Sequence, residues 1–145
     1  YAVYLWNLEP LAFADSIGVR QNTSADILAL DGFENTFVLL DARDVSSPLA
    51  GKAFALWRYG QSAYIPSVAQ MRLLYHTRDQ INPIIKICGG DTLPVEAGDC
   101  WYWTSTEVNG QQSLKAWLFS TSSGAIHDTP KGQAHKSRAI ITLRD

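Results

Sequence analysis

Cysteine and charge are both scarce in this sequence. Only two of the 145 residues are cysteines, Cys88 and Cys100, and charged residues make up 18%. No Cys or His pair has the spacing of a zinc site, because His76, His127 and His135 lie far from both cysteines along the chain. We therefore expect no metal and no cofactor.

The charge that is present is balanced and dispersed. Twelve basic and fourteen acidic residues give a formal net charge of −2. No segment gathers Lys and Arg into a stripe that could neutralise a row of phosphates, so we expect no nucleic-acid partner.

Long apolar runs are also missing. No window approaches the roughly twenty apolar residues that span a bilayer, so we expect no membrane span in this chain. The start, Tyr1 to Trp6, lacks the charged region and cleavage site of a signal peptide. A mature or trimmed piece would have lost any export signal or anchor.

Apolar and aromatic residues are plentiful. Hydrophobic residues make up 46% of the chain, and 145 residues suffice for one core, so we predict a single domain over 1–145. Five Trp and six Tyr are many for this length. Large amphipathic rings serve cores and recognition surfaces alike, and both roles stay open.

The first half of the chain gives the weaker pattern. Apolar runs bounded by polar residues or glycine predict strands at Tyr1 to Trp6, Ala25 to Leu30 and Thr36 to Leu40.

The second half predicts a helix pair followed by an antiparallel meander. Ser67 and Gln70 form a capping-box pattern ahead of an apolar stripe of Val68, Met71, Leu74 and Tyr75. Asn82-Pro83 predicts the start of a second, short helix that ends at Gly89-Gly90. The later segments follow from alternation and turn residues: strands at Trp101 to Val108, Ser113 to Ser120, Ala125 to Asp128 and Arg138 to Leu143, an Asn109-Gly110 turn, and a polar loop from Pro130 to Ser137.

The two cysteines allow two interpretations. Gly89, Gly90, Pro94 and Gly98 lie between Cys88 and Cys100, and such residues let a chain turn back on itself. Two free thiols are the plain alternative. A Cys88–Cys100 disulfide is expected if the protein is exported.

Motifs in the order in which they occur from residue 54 to 144 resemble a known family. They are Tyr64-Ile65-Pro66-Ser67, Leu73-Leu74-Tyr75, Ile81-Asn82, Gly89-Gly90, the hexad Tyr102-Trp103-Thr104-Ser105-Thr106-Glu107, Ala116-Trp117, Phe119, Gly124 and Arg138. This series is similar to bacterial surface domains found in collagen-like adhesins, phage-associated proteins and gut-bacterial surface proteins. The usual run of that family has Trp and Leu where Tyr64 and Ile65 stand here.

The resemblance implies a C-type-lectin-like fold, which the family shares distantly with formylglycine-generating enzymes and phage receptor-binding proteins. We accordingly expect an α+β domain with a helix pair packed on a twisted antiparallel sheet. The Glu-Pro-Asn or Gln-Pro-Asp tripeptide of calcium-dependent sugar sites is absent, so calcium binding is not carried over. Nothing around Cys88 or Cys100 supports the reactive cysteines of the formylglycine-generating enzymes.

A ligand site is expected on the side formed by residues 91–101, the Asn109-Gly110 hairpin and residues 131–136. Irregular backbone there combines a stacking ring, amides and both charges. Glu107 is equally well explained as a cross-strand partner of Lys115, and the His127 to Lys136 cluster as a solvated loop. The residues predicted to bind ligand are Trp101, Glu107, Gln111, Lys115, His127, Lys131 and His135.

The function expected from the resemblance is a non-catalytic ligand-binding or adhesion module. Such a module would belong to a secreted or cell-surface bacterial protein and bind a glycan or protein without calcium, with oligomers possible. One alternative is a structural or assembly module of a surface appendage. An enzyme is the second alternative. No Gly-x-Ser-x-Gly motif surrounds Ser105, and sequence places no His as its base.

Overall fold

The protein is an α+β structure, and the computed structural model describes residues 1–58 and 60–143. Three helices occur in this part: α1 (Gly32–Asp41), α2 (Pro48–Phe54) and α3 (Val68–Ile87). Its strands are β1 (Ala2–Val3), β2 (Leu8–Ala12), β3 (Trp57–Arg58), β4 (Gln61–Ser62), β5 (Trp101–Glu107), β6 (Lys115–Ser120), β7 (Ile126–Pro130), β8 (Ala134–Ser137) and β9 (Ile140–Ile141).

A three-stranded antiparallel sheet of order β5-β6-β7 forms the centre. Its register pairs Tyr102 with Phe119 and Trp103 with Leu118, so the two aromatic residues of β5 face opposite sides. The early and late parts of the chain also pair, β1 with β9 and β2 with β8. These pairs hold β8 beside the start of the chain and close to β5.

Helices cover both faces of the sheet. Leu39 of α1 and Leu49 of α2 join Trp103, Leu118 and Phe13 in one buried cluster. On the other face Met71 and Leu74 of α3 pack with Tyr102 and Phe119. Strand β6 is therefore the central strand of this sheet and is covered on both sides.

The N-terminal half differs most from the sequence prediction. Thr36 to Leu40 lies in α1 and not in a strand, and residues 25–30 form no strand. Only parts of 1–6 pair, as β1. Gly32 begins α1 where the backbone approaches α3 so closely that Gln70 and Ile65 leave no room for a Cβ. That close approach explains why a glycine opens this helix.

The capping box at Ser67 is confirmed. Gln70 N donates to Ser67 Oγ at 3.3 Å, and Ser67 N donates to Gln70 Oε1 at 3.0 Å. The predicted second helix at Asn82 is wrong, because α3 continues through Pro83 to Ile87. Asn82 instead clamps the next segment: its Nδ2 donates to Leu93 O and its Oδ1 accepts from Leu93 N, both at 2.8 Å.

The predicted meander is largely confirmed, with two corrections. The β5–β6 connection spans residues 108–114, so Asn109-Gly110 does not close a tight two-residue hairpin. The predicted loop from Pro130 to Ser137 contains strand β8, which pairs with β2 across the bulge between Leu8 and Leu11.

Candidate functional site

A surface cavity of about 460 Å³ opens where β7 and β8 meet the start of β5 and β2. Three of the residues predicted to bind ligand lie together in its wall: Trp101, His127 and His135. Their meeting follows from the topology, because β5, β6 and β7 are neighbours and β8 lies against β5. The full lining is Pro10, Asp99, Trp101, Leu118, His127, Thr129, Pro130, Gln133, Ala134, His135 and Lys136.

Trp101 supplies the large apolar surface of the cavity. It opens β5 opposite Ser120, on the same face as Trp103 and Leu118. The exposed His127 packs its ring edge against Trp101, with centroids 6.1 Å apart and an interplanar angle of 70°. The pair leaves a partly exposed indole beside an imidazole that can donate or accept hydrogen bonds.

His135 lies deeper and has a different environment. Its ring stands edge-on to Trp103, with centroids 5.3 Å apart, and its Nε2 lies 3.0 Å from Gln133 Oε1. Burial lowers the pKa of this imidazole below its ordinary value of 6.5. Burial therefore favours the neutral ring, in which one nitrogen is an acceptor.

A charge pair marks the rim of the cavity. Lys136 Nζ lies 3.1 Å from Asp99 Oδ1, donates to the Asp99 carbonyl, and stands 4.8 Å from the centroid of the Tyr102 ring. The Asp99 side chain is 96% exposed, so its carboxylate stays accessible from solvent. The sequence predicts that residues 91–101 and 131–136 lie on one side of the domain. Asp99 and Lys136, one from each segment, do lie together at this cavity.

The predicted role of Glu107 and Lys131 in ligand binding is wrong. Both side chains are 0% exposed, and Lys131 Nζ lies 2.8 Å from Glu107 Oε2. Neither can face a ligand on the surface. The proposed pairing of Glu107 with Lys115 is also wrong, because Lys115 pairs with Asp128 at 2.9 Å.

Gln111 and Lys115 lie outside the cavity. Gln111 is exposed in the β5–β6 connection, and Lys115 begins β6. Asn109 lines a different, more open depression of about 670 Å³ together with Trp117 and residues 24–28. The predicted single loop-rich side is therefore two separate surfaces.

The predicted disulfide is not formed. Cys88 and Cys100 are both free, the first exposed after α3 and the second buried at the start of β5. Cys100 Sγ lies 3.3 Å from Ser120 Oγ and accepts from Ser122 Oγ at 3.4 Å. Burial raises the pKa of this thiol, but hydrogen bonds from Ser120, Ser122 and nearby backbone outweigh that effect and leave it lowered.

Over residues 1–58 and 60–143, no group of three or more His, Cys, Asp or Glu side chains is arranged to hold a metal ion. Within the same residues, no helix has the length and apolar character needed to cross a membrane. Neither protein-family models nor curated proteins give a match to this chain.

Proposed function

We propose that this chain is a non-catalytic ligand-binding module that recognises a glycan through the Trp101 cavity without calcium. The observation that carries the proposal is the exposed part of the Trp101 ring flanked by His127, Gln133 and Asp99. An apolar ring accepts the C–H face of a sugar, while the flanking groups offer donors and acceptors to its hydroxyls.

The size of the site favours a glycan over a folded protein. A cavity of about 460 Å³ holds a small ligand, within the roughly 300–1,000 Å³ typical of such sites. A stable protein interface needs about 800 Å² from each partner and is generally flatter. Oxygen ligands for calcium are also few here, since Asp99 is the cavity's single carboxylate among the described residues.

The C-type-lectin-like fold is part of this proposal. The residues of the resemblance hold structural positions: Ser67 caps α3, Tyr102 and Trp103 fill the two cores, and Arg138 is buried. A motif that builds the scaffold fits a family whose members bind different ligands through variable loops. On this basis we place the chain on a secreted or cell-surface bacterial protein.

A glycan array probed with and without EDTA tests the proposal. We expect binding that EDTA does not reduce, and loss of about tenfold or more in affinity for Trp101→Ala and His127→Ala. Trp6→Ala is the matched control, because Trp6 is 56% exposed and lies outside the cavity. Loss of binding in EDTA, or wild-type affinity in both cavity variants, would contradict it.

A structural or assembly module is the second candidate. Helix α1 exposes Phe33, Phe37 and Leu40, which recur along one side of the helix at intervals of four and three. Self-association through this surface predicts a concentration-dependent mass in analytical ultracentrifugation that Phe37→Ser abolishes. A monomer at all concentrations would exclude self-assembly through α1.

A further inference from the structure

A second cavity, of about 340 Å³, lies between the segment 19–22 and the C-terminal end of α1. It shares no lining residue with the Trp101 cavity. Gln21 lies on one side, Asp41 is the last residue of α1, and Arg43 and Asp44 follow on the other side.

The amide of Gln21 is the unusual feature of this cavity. The residue is 2% exposed, yet neither its Nε2 nor its Oε1 has a hydrogen-bond partner among the residues that the structure describes. A buried polar group without a partner destabilises a fold, and an apolar side chain would avoid the cost. Gln21 lines the cavity, but its amide atoms lie just beneath the surface, so a rotation of the side chain turns one donor group and one acceptor toward a bound molecule.

The backbone around Gln21 is held in place by the buried ion pair. Gln21 N donates to Glu107 Oε2 at 3.2 Å, and Thr23 N donates to Glu107 Oε1 at 2.8 Å. Lys131 Nζ also donates to Val19 O at 3.3 Å. The cavity wall is thereby fixed before any ligand arrives, which lowers the entropic cost of binding.

Charges of both signs line the same cavity. Four exposed charged residues lie in its wall: Arg20, Arg43, Asp41 and Asp44. None of them forms an ion pair with another described residue. Asp41 adds to the negative end of the α1 dipole and favours a cationic group, whereas the two arginines favour an anionic one.

We propose that this cavity binds a small zwitterion that also carries an amide, the chemistry of a dipeptide. The ligand ammonium lies toward Asp41 and the C-terminus of α1, and the ligand carboxylate lies toward Arg43. The ligand amide pairs with Gln21, whose donor and acceptor are then both satisfied.

Three probes of similar length separate these contributions. Glycylglycine has both charges and the amide, 5-aminopentanoate has both charges without the amide, and N-acetylglycinamide has amides without charge. Calorimetry and the NMR shift of the Gln21 side-chain NH₂ follow each titration. We expect glycylglycine to bind about tenfold more tightly than either control probe.

Variants test the role of the amide directly. Gln21→Met should raise the melting temperature by roughly 2–5 °C, because it removes an unpartnered buried amide, and should abolish glycylglycine binding. Gln80→Met, at an exposed glutamine of α3, should change neither. Arg43→Gln should weaken binding about tenfold in a protein of unchanged stability.

Several results would overturn the proposal. A lower melting temperature for Gln21→Met, or its failure to fold, would show that the amide has a structural partner. Three further results would also overturn the proposal. They are undetectable glycylglycine binding by the wild type, equal binding of 5-aminopentanoate, and wild-type affinity in Gln21→Met or Arg43→Gln.

Discussion

Lys131 Nζ lies 2.8 Å from Glu107 Oε2 inside the protein, and neither side chain reaches solvent. The remaining hydrogen bonds of both groups go to the segments around them. Thr23 Oγ1 donates to Glu107 Oε1 at 2.7 Å, and Lys131 Nζ donates to Gln112 O at 3.0 Å. Burial lowers the pKa of Lys131, while Glu107 acts to raise it. A buried ion pair stabilises a fold no more than well-packed apolar residues of similar volume would. We therefore infer that the main effect of this pair is to hold the backbone of residues 19–23 in place.

Lys131→Met should lower the free energy of unfolding by about 3–5 kcal/mol, because it leaves the Glu107 carboxylate buried without a cation. Urea denaturation measures this change. Lys115→Met is the control: its pair with Asp128 is partly exposed, and its loss should cost less than about 1 kcal/mol. Equal effects of the two variants would disprove the distinction between the two pairs.

Trp103 and Trp117 should differ in their effect on stability. Trp103 is completely buried, packs on Phe13, and donates from Nε1 to Leu11 O at 2.9 Å. Trp103→Ala should therefore cost about 3–5 kcal/mol. Trp117, by contrast, is only partly buried. Trp117→Ala should cost clearly less, and thermal melts that rank them in the opposite order would contradict this packing.

The two thiols should react very differently. Cys88 is exposed and should be alkylated by iodoacetamide in the native protein, whereas Cys100 should react only after denaturation. Mass spectrometry of the intact protein before and after denaturation counts the modified residues. A reducing agent should leave the melting temperature unchanged. A drop in that temperature on reduction, or no native alkylation, would restore the disulfide interpretation.

The sequence predicts best where local signals are strong. The capping box at Ser67 and the alternation from Trp101 onward specify α3 and β5 from neighbouring residues alone. The strand prediction for Thr36 to Leu40 fails because a short apolar run fits a strand or a helix equally. The predicted helix boundary at Asn82-Pro83 is wrong because α3 continues past Pro83.

The sites were harder to predict because they depend on long-range pairing. The sequence predicts that Trp101, His127 and His135 bind ligand, and the β5-β6-β7 order brings the first two together. Glu107 and Lys131 are 24 positions apart and pair only because β6 and β7 return the chain to β5. No local pattern distinguishes such a buried pair from two surface charges. The unpartnered amide of Gln21 has no sequence signal at all.

His135 should make stability depend on pH. Its pKa is lowered by burial, so between that lowered value and 6.5 the unfolded state binds a proton that the folded state does not. The free energy of unfolding should therefore fall as pH decreases from about 6.5 through the lowered pKa. Denaturation curves measured between about pH 7.5 and 4.5 should show a weaker dependence of the unfolding free energy on pH for His135→Gln than for the wild type. His76→Gln, at an exposed site, should keep the wild-type slope, and identical slopes in all three proteins would refute the assignment.

Arg138 should be sensitive even to replacement by lysine. Its guanidinium is completely buried, and Nε and one terminal nitrogen donate to Asn7 Oδ1 at 3.0 and 2.8 Å. The other terminal nitrogen donates to Tyr4 O at 3.0 Å. Tyr102 also donates to Asn7 Oδ1, at 2.9 Å, so one amide oxygen joins the start of the chain to β5 and to the segment before β9.

A lysine ammonium cannot reproduce this planar set of donors, so Arg138→Lys should cost about 2–4 kcal/mol of unfolding free energy. Asn7→Ala removes the shared acceptor, and the double variant should be less destabilised than the sum of the two single variants. Arg72→Lys on α3 is the control and should change stability by less than about 0.5 kcal/mol. Strict additivity in the double-mutant cycle would mean that Arg138 and Asn7 contribute independently, and the network drawn from their contacts would then be wrong.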